Sequence, residues 1–276
     1  MIFNKSKSLL LGIAVIFNLM TIPALADTTI SAAGSTALLP LVKDAADSYQ
    51  NIHKDVKILV SGGGSGTGIN QVDAKAIDIG DSDILAPTKP NLVDHKVAVI
   101  GFSIVAHPGI GVKSLTKKQI QDIFTGKITN WKQIGGVDEK IIVVNRTRGS
   151  GTRVVFEKTV MDDVPVSESS LSEDATGTVI SVIRQTPGAI SYAAFSGTKS
   201  QPIGSVYELQ INGIEPTETN VITGMYPFWS YEHMFTNGPA TSEVQKFIDY
   251  VSTNEILLKK NYFLKTNQMK VTENNR

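Results

Sequence analysis

The sequence predicts an α/β protein, on three observations. Short runs rich in β-branched residues alternate with helical patterns; three of those runs end in a Gly/Ser/Thr turn that opens a helix; and no internal repeat of solenoid period is present. The first strand is expected over 28–31, leading into Gly34-Ser35-Thr36. Leu38, Leu41, Val42, Ala45 and Tyr49 then share one face of a helix, and Pro40 is tolerable in its first turn, where a missing N–H costs nothing. A second strand over 57–60 precedes SGGGSGTG and a helical stretch over 69–76. Residues 77–80 return as a strand that ends at Asp81-Ser82-Asp83.

The second half repeats the alternation. A strand over 97–106 is followed by a helix with Ile120, Ile123 and Phe124 inward, then a turn carrying Trp131. The strand over 141–144 feeds NRTRGSGTR at 145–153, and Val154, Val155 and Val160 line the helix after it. A helix over 178–184, a strand over 188–193 and one long C-terminal helix over 241–259 complete the pattern.

The first 26 residues differ from the rest. Lys5 and Lys7 precede an apolar run from Leu9 to Met20, and Ala24-Leu25-Ala26 follows, the arrangement of a secretory signal peptide rather than a membrane span. A mature chain from Asp27 is expected, exported to a periplasm or to the cell surface. It would hold 24 basic and 26 acidic side chains, a formal charge of −2, which argues against nucleic-acid or membrane-surface binding. Cysteine is absent, which excludes disulfides, thiolate metal sites, a cysteine nucleophile and lipid attachment through cysteine.

The chemistry concentrates at three turns: 32–36 (AAGST), 62–68 (GGGSGTG) and 148–152 (RGSGT). A helix start offers unpaired N–H groups and the positive end of its dipole, glycine admits an oxyanion to the backbone, and hydroxyls add donors. One such turn is an ordinary cap; three, one of them flanked by Arg146 and Arg148, point to a shared anion site. Enzymatic readings of the glycines fail. No Walker loop, GxGxxG or G-x-S-x-G is present, and Ser114-Leu115-Thr116-Lys117 lacks the partner motifs of a β-lactamase-type serine, so it reads as a helix cap. His53, His95, His107 and His233 are scattered without ligand spacing, so neither a metal nor another cofactor is expected. Asp83 has a specific use beside an anion: a carboxylate there is satisfied only by a ligand that carries a proton, as phosphate does and sulfate does not.

Together GST (34–36), GGGSGTGI (62–69), IGDSDI (79–84) and NRTRGSGTR resemble the phosphate-binding proteins of ABC phosphate importers; LTKKQIQDIFTGKITNW and YPFWSYEHMFTNG are also similar to stretches of that family. The resemblance implies a type II periplasmic-binding-protein fold, two α/β lobes with the ligand cleft between them. Crossings are expected near 102–106 and 228–234, with one lobe from 27–103 plus 230–276 and the other from 104–229. It also implies the ligand set: Ser35 and Thr36 by backbone N–H and hydroxyl, Ser65 likewise, Asp83 accepting the ligand's proton, Arg146 pairing with phosphate, and Ser150, Gly151 and Thr152 as the last donors. The implied protein is a monomer that hands phosphate to a membrane permease and performs no catalysis. Arg148 stands where the family often has a small or acidic residue, and is expected to face solvent. The alternatives are a secreted phosphatase or other hydrolase using Ser65 or Ser150, and a binding protein for sulfate.

Overall fold

A computed structural model describes residues 28–167 and 170–273, so the expected signal peptide at 1–26 lies outside the described residues. The elements run in order β1 (Thr28–Gly34), α1 (Leu39–Ile52), β2 (Val56–Ser61), α2 (Ser65–Asp73), β3 (Ile79–Ser82), β4 (Leu92–Ala106), β5 (Ser114–Leu115), α3 (Lys117–Phe124), β6 (Ile142–Arg146) and α4 (Gly151–Thr159). Then come β7 (Leu171–Glu173), α5 (Thr176–Gln185), β8 (Ala189–Ala194), α6 (Phe195–Thr198), β9 (Tyr207–Ile211), α7 (Glu218–Ile222), β10 (Trp229–Asn237), α8 (Ser242–Thr253) and α9 (Glu255–Lys260).

The strands follow the order β2-β1-β3-β10-β4-β8-β6-β7, with β9 joining β4 to β5. β1 pairs in parallel with β2 and β3, as βαβ units require, while β10 enters antiparallel between β3 and β4. The long strand β4 changes partners along its length. Residues 92–101 pair with β10, and from Phe102 onward the strand pairs with β8. Beside that change, the Phe102 N–H donates to the carbonyl of Phe228 at 2.9 Å, so β4 is bonded to the residue just before β10. Phe102 and Phe228 pack with ring centroids 5.0 Å apart, and Phe228 lies 5.7 Å from Phe156, which stacks on Tyr192 at 4.0 Å.

Local sequence accounts for most element ends. Pro40 sits in the first turn of α1, and Leu41, Val42, Ala45 and Tyr49 are all buried. Trp131 is fully buried in a 3₁₀ turn and donates Nε1–H to the Gly188 carbonyl at 2.9 Å. The cap before α3 is Thr116, in a reciprocal box with Gln119, whereas Ser114 lies in a strand. Of the three valines expected to line this helix, Val155 is buried, as is Val160 just past the end of α4, whereas Val154 is exposed, because neighbours on a helix point about 100° apart.

The C-terminal helix expected as one piece is two. Asn254 leaves helical geometry (φ −78°, ψ 90°), ends α8 and caps α9 by accepting the Leu257 N–H at 3.2 Å. Asparagine competes for the backbone in this way, and periodicity alone does not register it. Helix α2 begins at Ser65, earlier than the sequence pattern indicates, because Gly66 and Gly68 lie inside it. A side chain at Gly68 would press on the carbonyls of Ala33 and Asp81, so close packing of helix on sheet selects glycine there.

Candidate functional site

The three glycine-bearing turns converge at the carboxyl ends of β1, β2 and β6, where β1 leads to α1, β2 to α2 and β6 to α4. Ser35, Ser65, Asp83, Arg146, Ser150 and Thr152 are each at most 2% exposed, and Gly151 is buried with them. Gly34 makes the first turn possible: its φ is +144°, and a side chain would overlap the Asp81 carbonyl, which accepts the Ser35 N–H at 2.8 Å.

Ser35 Oγ accepts the N–H groups of Ala37 and Leu38, each at 3.1 Å, and its own hydroxyl donates to Asp83 Oδ1. Thr152 Oγ1 donates to the other oxygen, Asp83 Oδ2, at 2.7 Å. The Asp83 N–H donates to Ser65 Oγ at 3.0 Å. Two of the hydroxyls expected to face a ligand are therefore turned to Asp83, because a buried carboxylate needs donors on both oxygens. Ser150 caps α4, its Oγ accepting the Arg153 N–H at 3.2 Å, which leaves the first-turn N–H groups of Gly151 and Thr152 without intrahelical partners. Gly66 N–H donates to the Gly149 carbonyl at 3.0 Å, so the second and third turns touch.

Arg146 ends β6 and is 1% exposed. Its Nε donates to the Glu173 carbonyl at 3.3 Å; Nη2 donates to the Asp174 carbonyl at 2.9 Å and to Thr36 Oγ1 at 3.2 Å. Nη1 is buried with no acceptor among the described residues. Burial draws the guanidinium below the ordinary arginine value, opposed chiefly by Tyr192 and Asp83, and it remains a cation. Thr36 Oγ1 also accepts the Thr176 N–H at 3.1 Å, which ties α5 to the first turn.

The other two arginines of the motif lie elsewhere. Arg153 donates to Glu157 Oε1 at 2.7 Å and to the Arg146 carbonyl at 2.8 Å. Arg148 is exposed and lines a cavity of about 680 Å³ together with Asn145, Arg153 and Glu157, apart from the hydroxyls around Asp83. Among the described residues no group of three or more His, Cys, Asp or Glu side chains is placed to hold a metal ion.

Three features of the site were not found from sequence. The Glu173 and Asp174 carbonyls that hold Arg146 act through the backbone and carry no side-chain signal. Thr176 lies just outside the helix read at 178–184. Asp81 and Glu232 are fully buried around Asp83; burial, and then the Asp83 carboxylate, push both carboxyls well above the usual range. The signal for Glu232 was available: it is the single acid in the largely aromatic run from Phe228 to Phe235.

The fold and the closed anion cradle define an extracytoplasmic solute-binding protein of the type II periplasmic class. The chain belongs to the PBP superfamily, whose domain it matches over residues 21–255. It is 41% identical over 255 residues to the phosphate-binding protein PstS of Bacillus subtilis (strain 168), covering 90% of this chain and 84% of that protein. Among solved structures it resembles a phosphate-bound putative phosphate ABC transporter substrate-binding protein from Clostridium perfringens, with TM-score 0.80 and 29% identity, covering 87% of this chain and 100% of that one. An ABC-type phosphate transport receptor from Vibrio cholerae is similar at TM-score 0.69 and 25% identity, over 85% of this chain and 99% of that one.

Proposed function

We propose that this protein captures inorganic phosphate outside the cytoplasm and delivers it to the permease of an ABC importer. The observation that carries the proposal is Arg146: a buried guanidinium whose Nη1 has no acceptor among the described residues, set beside three helix-start turns. A buried cation with an unused donor is costly unless an anion completes it. In this reading the ligand is held by Arg146, by the N–H groups of Thr36, Ser65, Gly151 and Thr152 and by the hydroxyls of Ser65 and Ser150, while Ser35, whose N–H and hydroxyl go to the Asp81 carbonyl and to Asp83, lines the site and positions Asp83. Asp83, whose two oxygens already accept the Ser35 and Thr152 hydroxyls, accepts the proton of the bound phosphate.

The cleft lies between a lobe of 27–103 plus 230–276 and a lobe of 104–229. The change of partner along β4 and the bond between Phe102 and Phe228 support a hinge at these crossings. The protein acts as a monomer, is not anchored through a cysteine, and presents its closed form to the permease.

It is not an enzyme. Among the described residues no histidine bonds to Ser65 or Ser150: Ser65 Oγ accepts from the Asp83 N–H and Ser150 Oγ from the Arg153 N–H. Neither serine therefore has the base that a nucleophile requires. A sulfate ligand is disfavoured by Asp83, which a fully ionised oxyanion leaves facing like charge.

Calorimetric titration with phosphate and with sulfate tests the proposal, on the wild type and on Asp83→Asn. The wild type is expected to bind phosphate tightly and sulfate negligibly. The variant, whose amide can donate to a fully ionised oxygen, is expected to lose at least about tenfold in discrimination. Equal affinity of the wild type for both anions would overturn the assignment.

A further inference from the structure

Glu232 lies on β10 where the register against β4 shifts, and it is fully buried. β10 runs antiparallel to β3 with His233 opposite Ser82, so one step further along Glu232 and Asp83 stand opposite each other, both buried. Two ionised carboxylates facing each other out of water repel strongly, so the pair holds a proton between them. The donors around each group decide where that proton sits. Asp83 takes hydroxyl bonds on both oxygens, from Ser35 and from Thr152. Among the described residues Glu232 has only the Ser230 hydroxyl, 3.5 Å from Oε1, and no donor reaches Oε2. The group with donors carries the charge, and the group without them carries the proton.

We infer that Glu232 is a positioning residue of the anion site, a neutral carboxylic acid that donates a hydrogen bond to Asp83 and keeps Asp83 an acceptor toward the ligand. The inference rests on the phosphate reading above and deepens it. Were the proton on Asp83 instead, that residue could donate, and a fully ionised oxyanion such as sulfate would fit. Glu232 thus decides which protonation state of a tetrahedral oxyanion is admitted.

The titratable groups that act on Glu232 are Asp83 and Asp81 from β3 and the turn after it. Arg146 acts on Asp83 from β6. The neighbours on β10 and β4 are engaged elsewhere: His233 Nδ1 lies 2.7 Å from Asp94, and Lys96 sits over the Tyr231 ring at 3.8 Å. Burial and the two carboxylates favour the protonated form, in line with the geometry. Raising the pH far enough removes that proton, sets a second negative charge beside Asp83 and weakens anion binding.

The test is calorimetric titration of the full protein with phosphate between about pH 6 and pH 9.5, on wild type, Glu232→Gln and Glu232→Leu, with the carboxylic-acid C=O infrared band recorded on ligand-free protein. Glutamine keeps a donor to Asp83 and cannot ionise; leucine removes the donor at similar volume. At neutral pH the leucine variant is expected to lose more than about tenfold in affinity, and glutamine to restore it to within about threefold. At the alkaline end the wild type is expected to fall at least about fivefold further than the glutamine variant. The wild-type infrared band is expected to lose intensity in the glutamine variant. A glutamine variant as weak as leucine, parallel pH profiles, or an unchanged infrared band would overturn the inference. Failure of the wild type to bind phosphate at any pH would instead overturn the phosphate reading, and the infrared band would still decide the protonation of Glu232.

Discussion

Thr152, at the start of α4, donates its hydroxyl to Asp83, which follows β3, at 2.7 Å. The bond joins the half of the sheet built on β6 and β8 to the half built on β1 and β3, and it also fixes the carboxylate. Thr152→Val removes the donor and keeps the shape. Because the acceptor is charged and buried, phosphate affinity is expected to fall by about tenfold or more, and the melting temperature of the ligand-free protein to drop by several degrees. Calorimetry and a thermal melt on the same sample check both halves of the expectation.

Arg146 and Arg148 differ by two positions and are expected to differ sharply in consequence. Lysine at 146 offers no planar fork to span the Glu173 and Asp174 carbonyls and the ligand together, so Arg146→Lys is expected to lose at least about a hundredfold in phosphate affinity. Arg148→Ala is expected to stay within about twofold, since that side chain is exposed. A large loss in Arg148→Ala would place it in the binding site.

Gly151 packs directly against the other half of the molecule. A side chain there would overlap Ser65 Oγ and approach Ser65 Cβ to 2.9 Å and Asp83 Cβ to 3.0 Å. Gly151→Ala is expected to hold the halves apart, and to weaken phosphate binding by about tenfold or more while leaving each half folded. Small-angle scattering would show a larger radius of gyration with saturating phosphate than the wild type gives. An unchanged radius would mean that the turn yields.

The buried acids set a pH dependence of stability. Asp81 and Glu232 are held protonated in the folded state well above the usual range, while in the unfolded chain both ionise near about pH 4. Above that pH the folded state carries more protons, so stability falls as pH rises, by about 1.4 kcal/mol per unit for each group until its folded value is passed. Asp81→Asn removes one contribution. Urea unfolding at a series of pH values is expected to give a shallower decline in the variant, and parallel curves would show that Asp81 does not titrate on unfolding.

The sequence made the scaffold legible where residues act through period or through turn chemistry. Leu41, Val42 and Ala45 announce the buried face of α1, and each glycine turn announces a helix start. It was less informative where a backbone or a distant neighbour decides. Asn254 splits a helix whose apolar period runs on through the break. The hydroxyls of Ser35 and Thr152 carry the right chemistry for a ligand, but only the fold shows that Asp83 takes them. Glu232 lies about 150 residues beyond Asp83, and no local pattern joins the two.

β10 sits between β3 and β4, with His233 opposite Ser82 and Trp229 opposite Gly101. The strand that completes the first half of the molecule is thus made almost last. A chain emerging N-terminus first leaves β3 and β4 with exposed edges until residue 237 is available, and neither edge can pair correctly with the other meanwhile. A chain made from its N-terminus therefore presents an unfinished sheet, completed only when β10 enters its middle. Any truncation before Trp229 leaves β3 and β4 without the strand that joins them, so the half built on β1 and β3 depends on residues from the far end of the chain.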